Sequence, residues 1–237
     1  VIAVDPSGDL MAPEGILPHS FDVKRAADLL RTWLDEQRLV ADLSVTEPRG
    51  LYLPLWTFSL GGGIDYVGET TADDSPLRGH RSAPVQVHER YPVMLTLSVG
   101  ASRRPSAAFV RLIPGFDMNA RQPYDARYLA AWPAELYDVP LAEASLEARS
   151  LAYARLQHDI PIQIAPVRLL STSSANLVIE SFRLDLVPVW TCEIPVGDRR
   201  SMIMINGQTG AVAGDGLTPA PQVKGGLREW LGDLLGE

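Results

Sequence analysis

The chain of 237 residues holds one cysteine, two lysines, four histidines and no long apolar run, and each scarcity closes off a class of protein. A single thiol, Cys192, forms no internal disulfide and supplies no cysteine-rich zinc site, a usage that fits a reducing compartment. No stretch reaches the ~18–20 consecutive apolar residues that a membrane span needs, and the N-terminus lacks the basic-then-apolar pattern of a secretory signal. Positive charge is also short. Asp and Glu number 29 against 21 Lys and Arg, and the formal net charge of −8 sets up a field that repels nucleic-acid phosphates and anionic lipid headgroups. The expectation is a cytoplasmic protein with no nucleic-acid partner and no membrane span of its own. The chain opens on Val1 rather than Met, which leaves open whether it is a fragment of a longer protein, and any membrane association is expected through a partner or a missing segment.

What is present is enough to build a core: 46% of residues are hydrophobic and 21% charged, a balance of ordinary globular proteins rather than disordered ones. Two stretches organise it. Leu53-Pro54-Leu55-Trp56-Thr57-Phe58 and Val187-Pro188-Val189-Trp190-Thr191-Cys192 share an aliphatic-Pro-aliphatic-Trp-Thr pattern that leads into a strand. A second echo precedes each: Phe21-Asp22-Val23 opens an amphipathic helix to about Leu39, and Tyr137-Asp138-Val139 opens another from about Pro140 to Gln157. Two motifs recurring in the same order predict an internal duplication. The boundaries expected are 1–118 for the first unit, 119–217 for the second, and 218–237 for a linker and an amphipathic C-terminal helix carrying Leu227, Trp230, Leu231, Leu234 and Leu235.

Between these markers the reading is finer. Pro54 cannot donate a ladder hydrogen bond, so its strand is expected to be an edge there, bulged, or just beginning. Gly61-Gly62-Gly63 reads as a hairpin turn, Ile64–Thr70 as its return, and Thr71–Ala83 as a polar loop. Strands are expected at Val85–Tyr91, Val93–Val99 and Ala107–Ile113, and a short helix at Tyr124–Trp132. Past the long helix, whose buried stripe is expected to include Leu151, Ile160–Ala165 reads as extended and Ser171–Ser174 as a loop. Leu177–Leu184 and Leu186–Ile194 read as strands, and Asn206-Gly207 as a hairpin turn. The fold class is α+β, two related units, each an antiparallel sheet with helices on one face.

The runs Leu184–Trp190, Met202–Gly210, Pro123–Leu129, Leu51–Phe58 and Pro13–Pro18 together resemble a bacterial family of uncharacterised proteins. Its members often carry an N-terminal zinc ribbon and are frequently labelled as primosomal or helicase-like. This chain has no ribbon and no Gly-Lys-Ser/Thr phosphate loop, so the resemblance implies an architecture and neither zinc nor helicase activity. The Asn206-Gly207-Gln208-Thr209-Gly210 turn after an upstream helix is also similar to the PepSY type of domain, a helix packed on an antiparallel sheet.

Chemistry-bearing residues are sparse. Asp73, Asp74, His80 and His88 share one segment and are the candidates for a carboxylate–histidine catalytic site, set against the commoner role of solvated loop residues. Trp56, Tyr66 and Trp190 are the candidates for a ligand groove, set against a core role favoured by the two tryptophans' shared motif position. Cys192 lies in an apolar strand, which lowers no thiol pKa, and is read as core. His158 is read as closing the long helix. No metal site and no cofactor are expected. The leading expectation is a non-catalytic binding or scaffolding module with a protein partner or self-association; the alternative is a hydrolase-like enzyme built on residues 73–88.

Overall fold

The structure, a computed structural model, describes residues 11–37, 46–70, 85–103, 107–165, 167–196 and 199–215. Asp73, Asp74, His80, the loop expected at Thr71–Ala83 and the helix expected at the C-terminus therefore lie outside the described residues. What is described is mixed α and β. The strands are β1 (Gly15–Ile16), β2 (Arg49–Thr70), β3 (Gln86–Pro92), β4 (Leu95–Gly100), β5 (Gln122–Pro123), β6 (Val167–Ser173), β7 (Leu177–Val196), β8 (Arg199–Asn206) and β9 (Val212–Gly214). The α-helices are α1 (Val23–Glu36), α2 (Ala107–Leu112) and α3 (Leu141–Gln163).

All nine strands belong to one sheet. Its axis is the antiparallel pairing of β2 with β7, the two Pro-Trp strands, which runs from Arg49 opposite Thr191 to Gly62 opposite Leu177. Leu53 faces Val187 in that register, so the same motif position meets itself across the ladder. The outer strands follow suit. β4 pairs with β2 from Leu55↔Gly100 to Leu60↔Leu95, and β8 pairs with β7 from Val189↔Asn206 to Ile194↔Ser201, again at matching motif positions.

The prolines fit this ladder for a specific reason. A residue's N–H and C=O point to the same side of a strand, and the Pro54 carbonyl accepts from Ala101 N–H while the Pro188 carbonyl accepts from Gly207 N–H, at 3.1 and 2.9 Å. Those donors lie one residue past the ends of β4 and β8, so each missing proline N–H falls where the neighbouring strand has stopped. Both prolines are central on one side and locally edge on the other, as their missing donor requires.

Strand alternation puts even- and odd-numbered residues of β2 and β7 on opposite faces. Trp56, Phe58 and Leu60 pack beneath the alanine stripe Ala144, Ala148, Ala152 of α3. Trp190, Cys192 and Ile194 pack beneath Ala26, Leu30 and Leu34 of α1. Leu53, Leu55, Val187 and Val189 face the other way, onto Ala108, Phe109 and Leu112 of α2. Helices thus cover both faces, and each long helix covers the motif strand of the other half of the chain. α1 starts at Asp22, whose carboxylate accepts from Arg25 N–H at 3.0 Å, an N-cap worth about 1 kcal/mol.

Several local expectations are corrected. Gly61–Gly63 make no turn: β2 runs straight through them, with Gly62 at φ 91° beside a register shift at Ser59/Leu60. A Cβ at Gly62 would overlap the Asn176 carbonyl, so only glycine lets the strand pass. Ala107–Leu112 is helical rather than extended, and Val167–Ser173 is a strand where a loop was expected at its end. Leu177–Val196 is one unbroken strand, and Tyr124–Trp132 contains a 3-10 turn at Ala126–Ala130 instead of an α-helix. α3 continues through Pro161 to Gln163, so His158 is an exposed residue within it and not its end. Leu151 is exposed, and the buried stripe is Ala144, Ala148, Ala152, Leu156 and Ile160, a strict four-residue spacing.

Candidate functional site

On the face that carries α1 and α3, the sheet opens between the two helices. There Pro54, Leu184 and Leu186 form the floor of a cavity of about 410 Å³. That size lies within the range of small-molecule sites. One wall is Trp132–Tyr137, the other Met11–Pro13, and Tyr124, Leu129, Ala130 and Ala131 also line it. Each wall is hung on a central strand by backbone hydrogen bonds. Tyr52 donates to the Pro133 carbonyl at 2.8 Å and accepts from Glu135 N–H at 2.9 Å. Opposite, Glu14 N–H donates to the Leu184 carbonyl at 2.8 Å and Leu17 N–H to the Leu186 carbonyl at 2.9 Å.

Alternation explains why the floor is apolar although a charge sits between its two leucines. Leu184 and Leu186 point into the cavity, while Asp185 points to the opposite face and is fully buried. It accepts there from Arg183 at 3.0 Å and from Arg121 at 3.3 Å. A buried carboxylate requires such partners. Arg121 immediately precedes β5, which pairs with β1, and Tyr124 N–H donates to the Glu14 carbonyl at 3.1 Å. The ion pair on one face thereby positions Tyr124 on the other.

Behind Trp132 lies an aromatic cluster. The His19 ring stands 4.5 Å from Trp132, 4.9 Å from Trp190 and 5.2 Å from Tyr52, centroid to centroid. Its two nitrogens, the Tyr52 hydroxyl and the Trp190 indole nitrogen are buried with no well-formed hydrogen bond, as is the Tyr124 hydroxyl at the cavity. Burial pushes the His19 pKa down to about 4, offset in part by the Leu51 backbone, so the ring is neutral near pH 7. Gly50 makes this packing possible, since a Cβ there would overlap Trp132 Cδ1.

Trp56, Tyr66 and Trp190, the sequence candidates for a ligand groove, are 1%, 6% and 2% exposed and line no part of the cavity. Trp56 donates to the Val139 carbonyl at 2.9 Å and packs edge-on against Tyr137, which does line it. Trp190 lies against Phe21 at the start of α1. Tyr66 donates to Glu89 at 2.7 Å, and this bond, ahead of burial, raises its pKa.

His88 stands opposite Val67 in the arm where β2 runs between β3 and β6. Asp65 is its neighbour along that face, held by Arg90 at 2.6 Å and Asn176 at 2.6 Å, and the Arg90 bond chiefly lowers its pKa. These groups line an open groove in which each carboxylate already has a partner. Among the described residues no three His, Cys, Asp or Glu side chains are placed to hold a metal ion, and no helix is long and apolar enough to cross a membrane. Cys192 is buried, and burial pushes its thiol up to about 12, the opposite of a nucleophile's shift.

The cavity was missed at the sequence level because its lining comes from four stretches distant in the chain, Met11–Pro13, Pro54, Tyr124–Tyr137 and Leu184–Leu186. The available signal was the concentration of apolar residues between the α-helices and long strands at Leu129, Trp132, Ala134, Leu136 and Tyr137. Comparison with family models, with curated proteins and with solved structures finds no match for this chain.

Proposed function

We propose that this protein is a non-catalytic binding module whose central cavity takes a small apolar molecule. One observation carries the reading: an apolar space of about 410 Å³ floored by Pro54, Leu184 and Leu186 on the sheet's axis. The rigid strands beneath and the doubly anchored walls make it a preformed site, which lowers the ordering cost of binding. The architecture reads as two interlaced copies of one unit. Its support is the matching register of the outer strands and the recurrence of equivalent bonds, Ala101 to Pro54 and Gly207 to Pro188. On this reading the ligand sits between the copies.

Self-association is a second reading, supported by two exposed apolar side chains of β7, Phe182 on the face that carries α3 and Val178 on the opposite one, at 42% and 48% exposure. Light scattering distinguishes it, since a monomer at micromolar concentration removes it. The binding reading is tested with N-phenyl-1-naphthylamine, a neutral apolar fluorophore. Its emission should rise and saturate at one equivalent, and Leu184→Trp, which fills the floor, should abolish the rise while the protein stays folded. An unsaturable rise, or one that Leu184→Trp leaves intact, places the probe elsewhere and contradicts the reading.

A further inference from the structure

The cavity's chemistry narrows what it can hold. Among the described residues that line it, one is charged, Glu135, and none is basic. Glu135 is exposed, and its carboxylate has no hydrogen-bond or ion-pair partner among the described residues, unlike those of Asp65, Asp185 and Glu89. Its place is fixed through its own backbone, because Glu135 N–H donates to the Tyr52 carbonyl at 2.9 Å. Three aromatic residues, Tyr124, Trp132 and Tyr137, share the lining with it. Aromatic faces attract organic cations and do nothing for carboxylates. A lone carboxylate at the rim adds to that preference, and so does the protein's net charge of −8, which concentrates cations near its surface.

Resting on the binding reading above, we infer that the ligand is an apolar organic cation, an alkyl or aryl group bearing an amine or quaternary ammonium. The apolar part fills the space over Leu184 and Leu186, and the charged head lies at Glu135 and the aromatic wall. A fatty acid of the same length would meet no basic group and one repelling carboxylate. The assignment concerns ligand class, and it makes Glu135 a specificity residue rather than a source of affinity for the apolar part.

The test is a matched series of hexyltrimethylammonium, hexanol and hexanoate, titrated calorimetrically into the wild-type protein, Glu135→Gln and Leu184→Trp. The expected order in the wild type is cation, then alcohol, with no detectable binding of the acid. Cation over alcohol should be roughly three- to tenfold, the scale of a partly exposed charge together with an aromatic contact. Glu135→Gln should reduce that ratio by most of its value and leave hexanol unchanged, and Leu184→Trp should remove all binding. Equal affinities for cation and alcohol, tighter binding of hexanoate, or a ratio indifferent to Glu135→Gln would overturn the charge assignment while leaving the binding module standing, because hexanol still distinguishes wild type from Leu184→Trp. Failure of all three probes on the wild type overturns both.

Discussion

His19 shows how one residue carries consequences well beyond its position. Its ring is wedged among Tyr52, Trp132 and Trp190 with neither nitrogen well bonded, and its pKa in the folded protein is about 4 against 6.5 when free. Between those values the unfolded chain binds the extra proton, so His19 costs no stability above about pH 6.5 and progressively destabilises the fold as pH falls toward 4. The full shift is worth on the order of 3 kcal/mol. Urea unfolding at pH 7 and pH 4.5 should therefore show a larger loss for the wild type than for His19→Leu. Parallel losses in the two proteins would mean that the ring is solvated at no cost.

At the scale of elements, the two Pro-Trp strands look alike in sequence and differ at one bond. Trp56 Nε1–H donates to the Val139 carbonyl just before α3, whereas Trp190 Nε1–H, against Phe21 before α1, has no well-formed bond. Removing a buried bond that leaves its acceptor unsatisfied costs about 1–3 kcal/mol. Trp56→Phe should thus lower stability by roughly 1–2 kcal/mol more than Trp190→Phe in chemical denaturation, and equal losses would show that the two sites are energetically interchangeable. The shared motif was legible in the sequence, and so was the amphipathic helix opening at Phe21-Asp22-Val23, because a strong period reports a buried face directly. Other elements were not. Ala107–Leu112 is too short and too uniformly apolar for its period to separate helix from strand. Ile160–Ala165 reads as extended in the sequence, yet the donor that Pro161 lacks removes only one bond near the end of α3, where the fully buried Ile160 holds the chain down. The glycine run resembled a turn because glycine permits one; here it permits a strand to pass the Asn176 carbonyl.

At the scale of the molecule, the β2–β7 ladder means that neither half has a separate core. α1, from the first half, covers Trp190, Cys192 and Ile194, and α3, from the second, covers Trp56, Phe58 and Leu60. The cavity is a product of that interlacing. Its walls hang on Tyr52 and on Leu184 and Leu186, and its lining combines Met11–Pro13 with Trp132–Tyr137, segments separated by more than a hundred residues. Sequence could place Trp56, Tyr66 and Trp190 as large aromatics, but which aromatics face a cavity depends on where the strands stop pairing, and that is set by tertiary register. The most direct measurement is a methyl-resolved NMR titration of the protein with N-phenyl-1-naphthylamine. The cavity account predicts saturable shifts at Leu129, Leu184 and Leu186, with Leu30 and Leu34 of α1 unmoved. Shifts confined to the exposed Val178, with Leu184 and Leu186 silent, would contradict it.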